Sequence, residues 1–320
     1  MPTVGVLRGG SSREHEISLA SGAAMLAALN PARYRVRDVY IDKAGQWHVE
    51  GKPIRPEQVL RQLDVALIPL HGEYGESGEV QQLLARFGVP FAGADAYGTN
   101  QARHKAIGKA LARQAGLLTP EFRLITDADE VEDAAHEIIR AFSQPVVVKP
   151  VAWGSSVGVS IVGGYAAITA AAKALLEEGA GGVLIEEMIR GREATAGVVE
   201  GLRGEELYAL PPIEIVPPEG DFFSYESKYN GASQEICPGR FSRVETEELT
   251  RAAKLMHREL AQRHYSRSDF IVTPRGIYYL ETNSAPAVGL TAESLLPKSL
   301  AAVGIPFPAF LDHLVSRALT

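Results

Sequence analysis

Apolar runs of strand length alternate with stretches of helical period through the first hundred residues, and few architectures accept that order. Thr3–Leu7 is a short apolar run that ends in Arg8-Gly9-Gly10. Glu14 to Leu29 follows, with Ile17, Ala20, Ala24, Met25 and Ala28 on one helical face. Residues 35–41 and 65–70 are strand-like, 80–87 helical and 89–92 strand-like again. Strands joined through helices pair in parallel, so this order predicts a parallel sheet with helices on its faces.

Beyond it the spacing predicts a long helix over 99–116, a strand at 122–125, a helix at 130–142 and a strand at 146–150. A Gly/Ser loop, a strand at 159–162, a helix at 166–178 and a strand at 183–189 complete a second α/β unit. From about Arg192 the pattern changes to β-branched and aromatic strands at 194–200, 207–216 and 270–280, interrupted by one long helix at 246–264. A helix at 308–318 closes the chain, its proline at the first helical position where no backbone hydrogen bond is lost. The 320 residues, 46% of them hydrophobic, suffice for several cores. Three α/β lobes, 1–95, 96–190 and 191–320, fit this order better than the two that length alone suggests.

A formal net charge of −7 gives no basic field for a polyanionic backbone, which argues against nucleic acid as a partner. Cys237 is the only cysteine, so no internal disulfide can form, and no Cys/His spacing suits zinc. The start, Met1 to Gly10, reads as strand and turn rather than a signal peptide. No stretch approaches the roughly 18 apolar residues of a membrane span. The expectation is a cytoplasmic protein without a membrane partner.

Trp153-Gly154-Ser155-Ser156-Val157-Gly158-Val159 sits between two predicted strands. Its glycines let backbone N–H groups approach a ligand closely, and its serines add donors, so the loop could wrap phosphates. It is neither a Walker A loop nor a dinucleotide fingerprint, and alone it reads equally well as a tight hairpin turn. Lys149 ends the apolar strand Val146-Val147-Val148 just before it, a poor place for an ammonium that reaches no anion. Lys105 and Lys228 are two further candidates, and the three carry weight only as a set.

Acidic partners come late. Ser266 to Phe270 starts a strand, Thr273-Pro274-Arg275-Gly276 reverses it, and the return strand ends in Leu280-Glu281-Thr282-Asn283. Asp269 and Glu281 then fall on adjacent antiparallel strands, with Glu281 and Asn283 on one face. Two carboxylates and an amide oxygen are hard ligands that suit Mg²⁺ bridging a nucleotide's phosphates. Surface carboxylates on a hairpin are the plain alternative, weakened by the apolar neighbours Phe270, Ile271, Tyr279 and Leu280.

Gly9-Gly10-Ser11-Ser12-Arg13-Glu14-His15-Glu16-Ile17-Ser18, Leu70-His71-Gly72, Lys149-Pro150, Gly154-Ser155-Ser156-Val157-Gly158, Lys228-Tyr229, Arg267-Ser268-Asp269 and Glu281-Thr282-Asn283 come in one order along nearly the whole chain. As a group they resemble the D-alanine–D-alanine ligases of the ATP-grasp superfamily. That resemblance implies an α/β fold with three lobes: an N-terminal parallel-sheet, Rossmann-like lobe and central and C-terminal α+β lobes enclosing ATP. It implies ligation of two D-alanine molecules through a D-alanyl phosphate, for peptidoglycan precursors, by a homodimer.

By the same resemblance, Glu186 to Ile189 would form the adenine pocket, with backbone groups of Glu187 and Ile189 reading the base and Glu193 holding the ribose. Lys105, Lys149 and Lys228 would hold phosphates under the loop of Ser156. Asp269, Glu281 and Asn283 would bind two Mg²⁺, with Mn²⁺ as a substitute. Glu14 would fix the first substrate's ammonium, helped by a Ser155–Tyr229 pair, with His71 beside it. Arg267 and the Gly289 N–H would form an oxyanion site, and Ser294 with Leu295 would receive the second substrate's carboxylate. No protein nucleophile is required.

Three places depart from the family: His104 precedes Lys105, Trp153 precedes the glycine loop, and Asn283-Ser284-Ala285-Pro286-Ala287-Val288-Gly289 carries two residues more than usual. Those two either bulge outward or displace Gly289 and turn Val288 toward the site. The readings left open are a D-alanine–D-lactate or other amino-acid ligase, and a nucleotide-binding regulator that no longer catalyses.

Overall fold

The computed structural model describes residues 1–217 and 233–320; Lys228 and Tyr229 lie outside the described residues. Among the described residues three sheets organise the fold. In the first, β1 (Thr3–Gly9), β2 (Arg35–Ile41), β5 (Val65–Leu67) and β6 (Phe91–Ala92) pair in parallel in the order β2-β1-β5-β6. Two short antiparallel strands, β3 (Trp47–Val49) and β4 (Lys52–Ile54), extend the β2 edge, so this sheet is mixed rather than wholly parallel. Helices α1 (His15–Ala28), α2 (Pro56–Leu60), α3 (Glu73–Glu76) and α4 (Glu79–Arg86) belong to the same stretch.

The turn after β1 sets the direction of α1. Gly9 has φ +96° and Gly10 φ +92°, and the Gly10 N–H donates 2.8 Å to Ile41 O. Gly9 N–H donates to Ser18 Oγ at 2.9 Å, and Ser18 Oγ donates in turn to Pro69 O at 2.5 Å. A polar side chain inside α1 thereby ties together the ends of β1 and the strand-like segment 65–70, and Glu14 stands at the N-cap position without a side-chain capping bond.

The predicted helix over 99–116 is two helices, α5 (Ala96–Arg103) and α6 (Lys105–Gln114). His104 separates them with extended backbone, φ −88° and ψ 95°, ending one and capping the other. The second sheet, in the order β7-β10-β8-β9, is antiparallel: β7 (Phe122–Ile125), β8 (Val146–Pro150), β9 (Ser160–Val162) and β10 (Val183–Glu187). Helices α7 (Val131–Ala141) and α8 (Tyr165–Glu177) fill its apolar face through Val131, Ile138, Ile168 and Leu175.

The third sheet is antiparallel in the order β14-β13-β11-β15-β16, with β12 off β11: β11 (Arg192–Glu200), β12 (Leu207–Ala209), β13 (Ile213–Val216), β14 (Gln234–Ile236), β15 (Tyr265–Thr273) and β16 (Gly276–Ser284). The strand expected over 207–216 is split around Pro211 and Pro212, which have no N–H for a ladder. Helix α9 (Arg243–Glu259) begins three residues before the expected start because Ser242 and Glu245 form a reciprocal capping box. It ends earlier too, since Ala261 and His264 take positive φ.

Helices cross the divisions that the sheets mark. Ala112 and Leu117, around α6, share a core with Leu249, Met256, Phe270 and Tyr279 of the third sheet's layer. Helices α10 (Leu295–Ala302) and α11 (Phe307–Ala318) bury Leu296, Leu300, Phe310 and Leu314 against Val4, Val6 and Leu67 of the first sheet. The first and third lobes are thus welded through apolar packing. Among the described residues no single helix is long and apolar enough to cross a membrane.

The Gly9 turn yields a stability test. A Cβ built there would lie 2.2 Å from Ile41 O, with the backbone already in a region that L side chains avoid. Gly9→Ala is expected to lower the unfolding free energy by about 2–3 kcal/mol, the usual scale of enforced backbone strain. Urea unfolding at equal slope would measure it, and an unchanged midpoint would refute this account of the turn.

Candidate functional site

Two adjoining cavities lie where the sheets converge. The first runs between the second and third sheets, and its wall includes Lys105, Lys149, Ser156, Glu187, Ile189 and Glu193. The second reaches from the start of α1 to the start of α10, past Glu14, His71, Ser155, Asn283, Gly289 and Ser294, and encloses about 510 Å3. Arg267, Glu281 and Leu295 line both. Glu186 and Asp269 border the first.

The third sheet supplies the acidic wall by its register. Asp269 stands opposite Glu281, and Arg267 opposite Asn283, with a β-bulge between Asp269 and Phe270. Opposite residues of an antiparallel pair share a face, so all four side chains point one way while Phe270 and Tyr279 enter the core. Asp269 is held from three sides. Thr195 Oγ1 donates to Oδ1 at 2.6 Å, Asn283 Nδ2 donates to Oδ2 at 2.9 Å, and the Arg267 guanidinium sits 3.2 Å from both oxygens. Burial works against the Arg267 charge, but Asp269 and then Glu281 keep it firmly protonated. Glu281 Oε2 lies 3.4 Å from Lys105 Nζ.

These residues fit a divalent cation on the chemistry of their donors. Two carboxylates on facing strands offer hard oxygens, and Asn283 turns its nitrogen to Asp269, which leaves its amide oxygen for another partner. Three protein oxygen groups do not complete a cation's shell, so phosphate oxygens and water would supply the rest.

Around the first cavity the lysines are anchored within the chain. Lys149 Nζ pairs with Glu186 Oε1, so the anion that this strand-end lysine requires is a side chain two residues along the facing strand from its register partner Leu184. Glu186 Oε2 lies 2.7 Å from Lys109 Nζ. All three are buried. Burial opposes the Glu186 charge, yet Lys109 and Lys149 together hold its carboxyl below the usual range. Burial pushes Lys109 down to about 8 against the pull of Glu186. Lys105 Nζ donates 2.6 Å to Trp153 O, so this carbonyl and Glu281 support that lysine, not the residue before it. The Glu187 N–H donates to Glu121 O at 2.9 Å, and the Glu187 side chain accepts from the Glu121 N–H at 3.2 Å.

The glycine loop leans toward the first lobe. Ser155 and Ser156 adopt φ of 51° and 58°, and Ser155 Oγ donates to Glu14 Oε1. The serine thus engages Glu14 directly; the Tyr229 half of the expected pair falls outside the described residues. Trp153 stacks under the Arg13 guanidinium at 4.7 Å and packs against the second sheet's core, bridging two lobes. His71 is buried, with Nε2 3.1 Å from Ser21 Oγ, and burial followed by the charge of Arg267 lowers it to about 4. Ser294 Oγ accepts from the Thr291 N–H at 3.1 Å and lies 2.9 Å from Thr291 Oγ1, bracing the turn before α10.

Of the two extra residues, Ala287 borders the second cavity while Val288 faces away from it, so neither outcome expected of the pair is met. Ala285–Ala287 form a 3-10 turn, and Val288 turns inward, 1% exposed, among Val4, Leu67 and Leu296. Gly289 stays on the cavity wall with Arg267. A Cβ on Gly289 would lie 2.8 Å from Ser294 Oγ, so a larger residue there would have to displace that hydroxyl from its place beside Thr291.

Residues that pattern reading passed over also belong here. Lys109 follows Lys105 by four positions, one helical turn, which was the available signal. Glu76, within Gly75-Glu76-Ser77-Gly78, lines the second cavity and accepts 2.7 Å from the Gly72 N–H. Burial, and next the nearby Glu14, raise its carboxyl to about 7. Thr195 holds Asp269 from the neighbouring strand, a partnership visible only in the fold.

Comparisons with known proteins agree along the whole chain. The family model described as D-ala D-ala ligase C-terminus matches residues 111–316, and that described as D-ala D-ala ligase N-terminus matches residues 3–58. The D-alanine–D-alanine ligase of Syntrophobacter fumaroxidans is 40% identical over 320 residues, covering 99% of this chain and 97% of that one. Among solved structures, the VanG D-Ala:D-Ser ligase of Enterococcus faecalis superposes with a TM-score of 0.87 at 26% identity, covering 99% of each chain. The D-alanine–D-alanine ligase of Bacillus anthracis complexed with ATP gives 0.81 at 27% identity, covering 100% of this chain and 98% of that one.

Glu76 predicts a pH signature. Its folded value, about 7, lies above the ordinary 4.5, so the fold prefers the neutral carboxyl. Between those values the folded state binds more protons, and stability falls as pH rises, with the cost fully present above about pH 7. Glu76→Gln keeps an acceptor for Gly72 and removes the charge. At pH 8 it is expected to be about 2–3 kcal/mol more stable than wild type, and at pH 4.5 about equal. Urea melts at both pH values would check this, and a pH-independent difference would contradict it.

Proposed function

Because the chain belongs to the D-alanine–D-alanine ligase family of ATP-grasp enzymes, we propose that its first cavity takes ATP, its second takes two D-alanine molecules, and the wall between them carries the chemistry. The activity is the ATP-dependent joining of two D-alanines for peptidoglycan precursors. The observation that carries the assignment of parts is the shared wall: Arg267 and Glu281 border both cavities, where a phosphoryl donor and an acceptor carboxylate must meet.

In the first step a carboxylate oxygen of the first D-alanine attacks the γ-phosphorus, the bond to the β-phosphate oxygen breaks, and ADP leaves. The free amine of the second D-alanine then attacks the acyl carbon of the D-alanyl phosphate. The carbon–oxygen bond to phosphate breaks, the nitrogen gives its proton to solvent, and inorganic phosphate departs.

Each group has a task in this reading. Glu14, braced by Ser155, holds the first ammonium, and His71, neutral at working pH, lies nearby without repelling it. Tyr229 would complete the closure over Ser155. The Glu187 carbonyl and Ile189 N–H read the adenine and Glu193 the ribose. Lys105, Lys149, Lys228 and Ser156 hold phosphates, Lys149 steadied by Glu186. Asp269, Glu281 and Asn283 would hold two Mg²⁺ ions, or Mn²⁺ in their place, and bound cations neutralise charge on the phosphates. Arg267 and the Gly289 N–H stabilise the tetrahedral oxyanion, and Ser294 with Leu295, at the start of α10, receives the second carboxylate. The protein would work as a cytoplasmic homodimer.

The direct test supplies purified protein with ATP, Mg²⁺, D-alanine, D-serine and D-lactate, and reads phosphate and products by mass spectrometry. D-Alanyl-D-alanine is the expected main product. Phosphate release without any condensed product would remove the ligase assignment, and a dominant ester or D-serine product would overturn the choice of second substrate. Glu281→Gln should fold normally yet lose at least roughly a hundredfold in turnover, since shape does not replace charge. Turnover within about threefold of wild type would take Glu281 out of the phosphate–metal site.

A further inference from the structure

Lys109 is buried beyond any reach of solvent, yet it carries an ammonium. Its partners are all within the fold: Glu186 Oε2 at 2.7 Å, and Thr119 Oγ1, which accepts at 3.1 Å and itself donates 2.9 Å to Tyr279 O. The other oxygen of Glu186 pairs with Lys149, which lines the first cavity. Two ammoniums share this one carboxylate, and the next acid whose charge reaches Lys109, Glu281, is already paired with Lys105, so the lysines outnumber the acids that answer them.

Stability alone does not explain that arrangement. Lys149 and Glu186 would form a neutral pair by themselves, and a methionine at 109 would fill the space without desolvating a charge. Buried ionic groups replaced by apolar ones of similar volume commonly leave a fold as stable or more so. Burial already presses Lys109 toward its neutral form. The excess charge is useful only to an anion, and the cavity in front of Lys149 is where an anion can sit.

We propose that Lys109 is a positioning residue for the nucleotide: through Glu186 it fixes the Lys149 ammonium on the cavity wall, and it adds a positive potential behind that wall that favours phosphates without touching them. The proposal rests on reading the first cavity as the ATP site. Because Lys109 acts through charge, its loss should weaken ligands in proportion to their phosphates and leave the base and ribose contacts alone.

Calorimetric titration of ATP, ADP and adenosine, with Mg²⁺ present, into wild type and Lys109→Met provides the test. Wild type should bind ATP more tightly than adenosine. In Lys109→Met, ATP should weaken roughly ten- to thirtyfold, the scale of one unit charge across several ångströms at an effective dielectric of about 20, while adenosine stays within about twofold. An equal loss for ATP and adenosine would mark Lys109 as structural, and no loss would show the charge to be idle; either overturns the proposal. Should Lys109→Met not fold, Lys109→Gln keeps a donor for Glu186 and Thr119 while removing the charge, and the same ratio decides. A wild-type protein that does not prefer ATP to adenosine would instead sink the nucleotide reading of the cavity.

Discussion

The pairing of β15 with β16 is the constraint on which the site depends. Antiparallel pairing from the turn at Thr273–Gly276 sets Val272 against Ile277, Ile271 against Tyr278 and Phe270 against Tyr279. Continued without interruption, that register would put Asp269 opposite Leu280 and split the polar residues between the two faces. The bulge after Asp269 takes up Leu280 and resets the pairing, so that Asp269 meets Glu281 and Arg267 meets Asn283. One inserted residue thus gathers two carboxylates, an amide and a guanidinium on a single face while Phe270 and Tyr279 remain in the core.

Such a concentration of charge is tolerable because each ion has an opposite charge beside it, even where two lysines share one carboxylate. Arg267 is matched by Asp269, Lys105 by Glu281, and Lys149 with Lys109 by Glu186. Isolated charges at these depths would neutralise themselves or open the fold. Glu76 is the contrasting case: a buried carboxyl near another carboxylate, with only the Gly72 N–H bonded to it, holds its proton up to about pH 7. His71 solves the same problem by losing its proton, which leaves the second cavity with less fixed positive charge than its residue types suggest.

How much of this was legible in the sequence depends on how local its causes are. Period-two and helical patterns, the Thr-Pro-Arg-Gly turn and the glycine loop are local, and the three sheets with their site-bearing edges follow from them. No glycine or proline marks the break at His104, and both helices that it separates pack on β16, so the apolar pattern runs through it as one helix. The partner sheets of α6 and α11 are likewise not written in their apolar faces, and α10 is absent from the elements that the sequence predicts. Lys109 was invisible as an ion-pair residue because Glu186 lies 77 positions away, and a helical lysine is ordinarily a solvated one. Val288 reads as an oddity next to glycine and becomes intelligible only as a core residue beneath the first sheet.

The glycine loop shows the same trade between ease and specificity at the level of backbone. Ser155 and Ser156 both occupy the left-handed region, where each non-glycine residue carries strain of about 1 kcal/mol or more. Glycine at 155 would relieve that strain, but it would have no hydroxyl for Glu14. A loop made wholly of glycine would also be freer in the unfolded state, and would lose more entropy on ordering. Serines in a glycine conformation are therefore intelligible as the residues that tie the second lobe to the first: the hydroxyl fixes where the loop lands, and Trp153 under Arg13 fixes the end from which it departs. Gly154 completes the arrangement, since a Cβ there would come within 3.0 Å of Glu14 Oε2 and press on the carboxylate that the loop is built to meet.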